Sequence, residues 1–100
     1  MTLRLDIRPD ALVDIDEAAA WYEERRPHLG GEFVHEVRAA INRLPAYPLV
    51  SCVRHRSLRV RWIFPARFPY RIVYRVEDER IIVLAVIHAA RADAAWKDRR

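Results

Sequence analysis

An α+β domain is what this sequence predicts. It should hold an N-terminal strand, an antiparallel helical hairpin and a curved three- to four-stranded antiparallel sheet, in the order β-α-α-β-β-β with a short C-terminal helix or turn. Two hydrophobic periods and one apolar run carry that prediction. Apolar residues recur every three or four positions from Leu12 to Leu44, every second position from Leu58 to Val76, and almost without a break from Ile81 to Ile87. With 100 residues, 52% of them hydrophobic, the chain fits one domain with one layer of helix on one layer of sheet.

The elements follow in order. Leu3, Leu5 and Ile7 alternate with Arg4, Asp6 and Arg8 as a short half-buried strand, and Pro9 ends it. Asp10 is placed to cap the next helix. Its apolar face is Leu12, Ile15, Ala19 and Tyr22, with Asp14, Glu17, Glu24 and Arg25 mostly elsewhere, and it runs to about Arg26. Pro27-His28-Leu29-Gly30-Gly31 reads as a turn. Phe33, Val37, Ile41 and Leu44 then mark a second amphipathic helix, stopped by Pro45 and Pro48. So short a connection makes the two helices an antiparallel hairpin.

Leu58, Val60 and Trp62 next alternate with Arg59, Arg61 and Ile63. Pro65-Ala66 marks a turn, and Tyr70, Ile72, Tyr74 and Val76 alternate with Arg71, Val73 and Arg75. After the polar turn Glu77-Asp78-Glu79, the run Ile81–Ile87 has the character of a central strand covered on both faces. Residues Ala92–Arg99 carry Trp96 in the closing helix or turn.

Charge is distributed in blocks. Residues 1–36 hold nine acids and four bases, whereas Arg38 to Val76 hold nine arginines and no acid, and residues 77–100 balance at five of each. A basic block of that density points to a polyanion or an acidic protein partner. Cys52 is the single cysteine, so no internal disulfide forms and a reducing, cytoplasmic compartment fits. The N-terminal residues lack an apolar export segment, and the longest apolar run falls far short of a membrane span. No His/Cys/Asp/Glu set has metal-ligand spacing and no glycine-rich phosphate loop is present, so neither a metal nor another cofactor is expected.

Four stretches in order resemble one family. They are Asp14-Ile15-x-Glu17-Ala18 with Trp21-Tyr22-Glu23, Leu29-Gly30-x-Glu32-Phe33, Arg67-Phe68-Pro69-Tyr70-x-Ile72-x-Tyr74, and Val83-Leu84-Ala85-Val86-x-His88 followed by Arg91 and Trp96. Together they resemble the RelE/ParE superfamily, the toxin halves of bacterial type II toxin–antitoxin systems. The Trp-Tyr-Glu and Arg-Phe-Pro-Tyr stretches look more like its ParE-like, plasmid-stabilisation branch. The resemblance implies a growth-arresting toxin neutralised by a cognate antitoxin. It leaves two targets: DNA gyrase for ParE-like members, and mRNA on the ribosome for RelE-like endonucleases.

Metal-free RNA cleavage needs a base for the 2′-hydroxyl, cations on the phosphorane and an acid for the leaving oxygen. By the resemblance, Arg71 and Arg91 match RelE-like active-site arginines, and Arg59 and Arg61 stand where those enzymes place lysines. Arginine stabilises anionic charge well but is a poor base. His88, His55 or Tyr70 would have to serve as acid and base. The usual consecutive arginines and proline are altered here to His88-Ala89-Ala90-Arg91-Ala92, and the RelE-like C-terminal aromatic acid/base has no match, Trp96 being unable to serve.

The sequence therefore favours a binding inhibitor of gyrase. A ribosome-dependent endonuclease using Arg71, Arg91 and His88 is the alternative, and a non-toxic antitoxin-binding remnant is a third reading. Target or nucleic-acid contact falls to Arg59, Arg61, Arg67, Arg71 and Arg91, and antitoxin contact to Trp21, Arg59, Arg61 and Trp96. The Trp21 face is also a candidate for a homodimer of the free chain. Plainer roles stand beside these: surface pairing of Arg71 and Arg91 with Glu77, Asp78 or Asp93, a solvated face for Arg59 and Arg61, a rim position for His88, and core positions for Tyr22, Trp62 and Tyr74.

Overall fold

The computed structural model describes residues 3–49, 53–55, 59–92 and 95–99, with backbone alone for 53–55. The chain runs β1 (Arg4–Ile7), α1 (Pro9–Arg25), α2 (Leu29–Arg43), β2 (Val53–His55), β3 (Val60–Ile63), β4 (Tyr70–Glu77) and β5 (Arg80–His88). The sheet order is β1-β5-β4-β3-β2. The expected α+β order holds, with two refinements. A short strand, β2, joins the edge, and β1 pairs with β5 in parallel, so the sheet is mixed. Leu58 lies outside the described residues.

β5 is the central strand that its composition predicts. It lies between β1 and β4, and every residue from Ile81 to Ile87 is at most 3% exposed. Each face of the sheet has its own core. On the helix side, Ile72, Tyr74, Ile81, Val83 and Val86 pack on Ile15, Phe33, Val37, Ile41 and Leu44. On the other side, Val60, Val73, Ile82, Leu84 and Ile87 pack on Trp96. A β-bulge sits between them: Val73 pairs with Ala85 and Tyr74 with Val83, leaving Leu84 as the extra residue. Leu84 and Ala85 consequently both face the Trp96 side, and Val86 returns to the helix side.

Several local expectations shift. Helix α1 begins at Pro9, the first-turn position where a missing N–H costs nothing. Arg8 is its N-cap, and Asp10 lies in the first turn without a side-chain cap bond. The buried stripe of α1 is Ala11, Ile15 and Ala18, with Tyr22 continuing it half-buried; Leu12 is exposed. Asp14 belongs beside this stripe, because its carboxylate reaches the sheet. The predicted α2 face, Phe33, Val37, Ile41 and Leu44, is buried throughout. The C-terminal residues 95–99 form a turn, tied by Ala95 N–H to Ala92 O at 3.1 Å and Arg99 N–H to Trp96 O at 3.0 Å.

The hairpin connection is tighter than expected, since Gly30 and Gly31 are already helical. Two groups replace the glycine turn. His28 adopts a left-handed conformation (φ 72°), and the Glu23 carboxylate accepts the N–H groups of His28 and Gly30, each at 2.9 Å. These backbone donors hold the Glu23 carboxyl below the ordinary glutamate range. Its contribution is therefore complete above that range and is lost as pH falls through the lowered value. Gly30 is needed because α1 and α2 touch there. A Cβ at Gly30 would stand 2.5 Å from the Ala19 carbonyl oxygen, whereas one at Gly31 would meet nothing within 4 Å.

These two glycines should respond oppositely to alanine. Gly30→Ala must push the helices apart and is expected to cost roughly 1–3 kcal/mol, the range for overpacking. Gly31→Ala should stabilise the chain by about 0.5 kcal/mol through helix propensity. Urea unfolding of the two variants measures both, and equal midpoints would contradict this account of the hairpin.

Candidate functional site

The aromatic residues of the first three resemblance stretches meet in one cluster on the helix side. Tyr22 stacks on Phe33 at 5.3 Å, and Phe68 meets both rings edge-on at 4.9 and 5.2 Å. Tyr70 closes against Phe33 at 4.9 Å. Phe68 reaches this position because its backbone is left-handed (φ 76°), an unusual state for a bulky residue that the aromatic packing repays. Arg67 turns the other way and donates to Glu32 of α2 at 3.0 Å, where Arg26 joins at 3.3 Å. Arg67, expected at a target surface, is thus part of a helix-to-hairpin ion network.

Beside the cluster, a groove of about 360 Å³ runs between α1 and the end of β5. Its lining includes Glu17, Trp21, Tyr22, Tyr70, His88 and Arg91. Trp21 is half-exposed, and the Arg25 guanidinium lies over its ring at 3.5 Å. The Tyr22 and Tyr70 rings lie 6.1 Å apart, and burial pushes both phenols above the ordinary tyrosine range. At neutral pH they are therefore proton donors and not bases. His88 stands edge-on to Tyr70 at 5.3 Å. Its Nδ1 accepts the Ala90 N–H at 3.0 Å, which leaves Nε2 as the protonated nitrogen of the neutral ring.

Arg71 is elsewhere. It pairs across the ladder with Ile87, whose side chain belongs to the Trp96 side of the sheet. The side chain is 7% exposed, its guanidinium lies 4.8 Å from the Trp62 ring centre, and Nη2 donates to the Arg91 carbonyl at 2.6 Å. This is a buried setting and not the open surface expected of Arg71, and Asp93, one of the acids expected to pair with it, lies outside the described residues. Arg71 is a buried anchor for the turn after β5. Arg91 itself is exposed and lines the groove.

The remaining predicted site residues are scattered. Arg59 is exposed in a left-handed turn (φ 56°) before β3 begins at Val60, so it does not share a strand face with Arg61. Arg61 pairs with Tyr74, on the helix side of the ladder. Trp96 is 1% exposed and meets Trp62 edge-on at 6.3 Å, so it fills the second core where a partner contact was expected. Trp62 is half-buried, and Tyr74 is buried with its hydroxyl donating to Pro48 O at 2.9 Å. Asp93 and the His55 side chain lie outside the described residues. A second concavity, about 320 Å³ and mostly apolar, lies at the far end of α2 among Arg43, Leu44, Tyr47, Ile63 and Phe64, with Tyr47 and Phe64 largely exposed.

The pair that sequence reasoning missed is Asp14 with Arg99. Asp14 Oδ2 accepts the Val86 N–H at 3.0 Å and Arg99 Nη1 at 2.5 Å, and Oδ1 accepts Arg99 Nη2 at 3.2 Å. Arg99 Nη1 also donates to Leu84 O at 3.1 Å. The available signal was the position of Asp14 between Ala11 and Ile15 on the buried stripe of α1.

Residues 5–93 match the family described as ParE toxin of type II toxin-antitoxin system, parDE. The chain belongs to the ParE toxin family. No curated protein matches its sequence. Among solved structures, a chain of the chromosomal ParDE TA system from P. aeruginosa superimposes with a TM-score of 0.78 at 18% identity, covering 87% of this chain and 96% of that one. A mutant of the E. coli toxin RelE in the free state gives a TM-score of 0.63 at 19% identity, over 90% of this chain and 86% of that one. Both likenesses are of fold. Among the described residues of this ParE-family chain, no helix is long and apolar enough to cross a membrane.

The anchor role of Arg71 has a direct consequence. Arg71→Ala should cost roughly 2 kcal/mol, the scale of a charged hydrogen bond lost from a buried position, and should loosen the turn over Trp96. Red-shifted tryptophan emission and faster amide exchange at residues 89–99 are the expected readouts. An Arg71→Ala protein with unchanged stability and unchanged exchange there would contradict the anchor.

Proposed function

We propose that this ParE-family chain is the toxin of a type II toxin–antitoxin pair and acts by binding, with DNA gyrase as its target. The observation that supports inhibition over catalysis is the division of the ribonuclease set. Arg71 is buried in the second core, whereas His88 and Arg91 line the groove beside α1. An arginine only 7% exposed, with its guanidinium on the Arg91 carbonyl and against Trp62, is not presented to a phosphate alongside the His88 imidazole. The groove also carries the Glu17 carboxylate, which repels a phosphodiester. It suits a protein surface, with Trp21 as its aromatic anchor.

In purified gyrase, saturating toxin should abolish supercoiling, and on induction growth should stop with messenger RNA intact. Full gyrase activity at saturation would sink this reading. Growth arrest with new cuts in translated messages would assign the ribosome-dependent endonuclease instead, a reading favoured by the convergence of Tyr70, His88 and Arg91 in one groove. Absence of arrest would mark a non-toxic, antitoxin-binding chain.

The antitoxin is an acidic amphipathic segment that folds on binding. The apolar concavity at Tyr47, Ile63 and Phe64 has the shape for its apolar side, with exposed Arg43 on the rim for its carboxylates. Phe64 is half-exposed and shares none of the core contacts described above, so Phe64→Glu should fold normally and weaken the antitoxin complex roughly tenfold or more. Isothermal titration against the cognate antitoxin measures this, and unchanged affinity would move the interface elsewhere.

A further inference from the structure

The end of the sheet opposite Arg71 holds a second, unrelated cluster of arginines. Two rows cross the strands β1, β5 and β4 there. Arg4, Arg80 and Glu77 align in one, and Asp6, Ile82 and Arg75 in the next. Arg8 follows at the end of β1. A pocket of about 230 Å³ lies among Asp6, Arg8, Arg75 and Arg80, with Ile82 contributing to its lining. That volume accommodates a phosphate group.

The carboxylates in this region act as orienting groups. Asp6 Oδ2 is shared by Arg80 Nη1 at 3.1 Å and Arg8 Nη1 at 3.6 Å. Glu77 is likewise shared, by Arg75 Nε at 2.9 Å and Arg80 Nη2 at 3.9 Å. Each acid holds two guanidiniums, and three arginines line the pocket with one carboxylate, Asp6. Asp78 and Glu79 lie on the exposed β4–β5 turn and do not line the pocket.

Two features are costly without a ligand. Arg4 and Arg80 are direct cross-strand partners, an arrangement that disfavours like charges. The Arg75 side chain is only 21% exposed, on a face whose neighbouring positions are Ile82, Val73 and Leu84. An apolar residue would pack there at less cost.

The geometry points to a phosphate-binding site formed by Arg8, Arg75 and Arg80. Three planar forks arriving from β1, β4 and β5 match the several oxygens of a tetrahedral oxyanion better than the two of a carboxylate. The site is independent of the proposed gyrase target, since it shares no residue with the groove at Trp21. The phosphate belongs either to a nucleic-acid backbone or to a free or terminal phosphate group.

Titration of the full chain separates these sources. Inorganic phosphate and a short single-stranded oligonucleotide without terminal phosphates are each added, with chloride at matched ionic strength as reference, while the arginine Nε–H signals are followed by NMR. The expected result is saturable movement of the Arg8, Arg75 and Arg80 signals, weakened roughly tenfold in Arg8→Gln and in Arg80→Gln and unaffected by Arg38→Gln on the outer face of α2. Stronger binding of the oligonucleotide assigns a nucleic-acid backbone, and stronger binding of inorganic phosphate assigns a small anion. Signals that move no more than in chloride, or affinity unchanged in both pocket variants, would overturn the site. Arg8 is 43% exposed, so its replacement leaves the core intact and keeps the test interpretable.

Discussion

The carboxylate of Asp14 is the constraint on which most of this molecule rests. β1 covers the outer edge of β5 only as far as Val83, and Arg8 N–H takes the Val83 carbonyl as the strand departs. Beyond that point a buried central strand would expose unpaired backbone groups, which is costly. Asp14 takes the Val86 N–H and Arg99 takes the Leu84 carbonyl. Their bidentate pair thus completes the sheet edge, fixes α1 against β5 and holds the end of the chain. Its side chains are 12% and 21% exposed. Removing one partner from so enclosed a pair typically costs about 3–5 kcal/mol, because the other is left uncompensated.

The second core depends on that anchorage. The bulge at Leu84 turns two successive residues toward the face without helices, and Trp96 is the large side chain that covers them. Trp96 remains there because Arg99, three residues on, is held by Asp14, and because Arg71 grips the carbonyl of Arg91 before it. The chain after β5 thus covers the second core through Trp96. The cost of that cover is the availability of Arg71, whose guanidinium is committed to Trp62 and to the turn. Arg67 is similarly engaged, with Glu32. Among the described residues, the arginines of the block read from the sequence therefore do not form one continuous basic face.

What was legible in the sequence was the part governed by period. The α2 stripe, the β4 alternation and the apolar β5 run each reflect burial on one or both faces, and each appears where expected. The helical hairpin's tight connection was hidden because glycines commonly signal turns, whereas Gly30 serves a helix–helix contact and Glu23 supplies the missing cap. Asp14 was assigned to the solvent face because charge usually belongs there, and only its partner 85 positions away explains it. Arg71 was misleading for the opposite reason. An alternating strand predicts which side a residue faces, but not that a tryptophan and a carbonyl are waiting on that side.

The same distinction explains why the family is clearer than the target. Most residues that carry the resemblance are structural here: Asp14 closes the sheet, Tyr22, Phe33, Phe68 and Tyr70 form the aromatic cluster, and Glu32 ties α2 to Arg67. A sequence can keep all of them and still act on different molecules, because they are committed to one another. Target choice must then come from groups the frame leaves available. On the groove side these are Trp21, Glu17, His88 and Arg91. They combine an aromatic anchor with charges of both signs, a composition suited to complementing another protein surface. Cleavage of RNA would instead require several cations on the same side as the acid and base. Arg71, the residue that the resemblance matched to that role, is instead held in the second core against Trp62 and the Arg91 carbonyl.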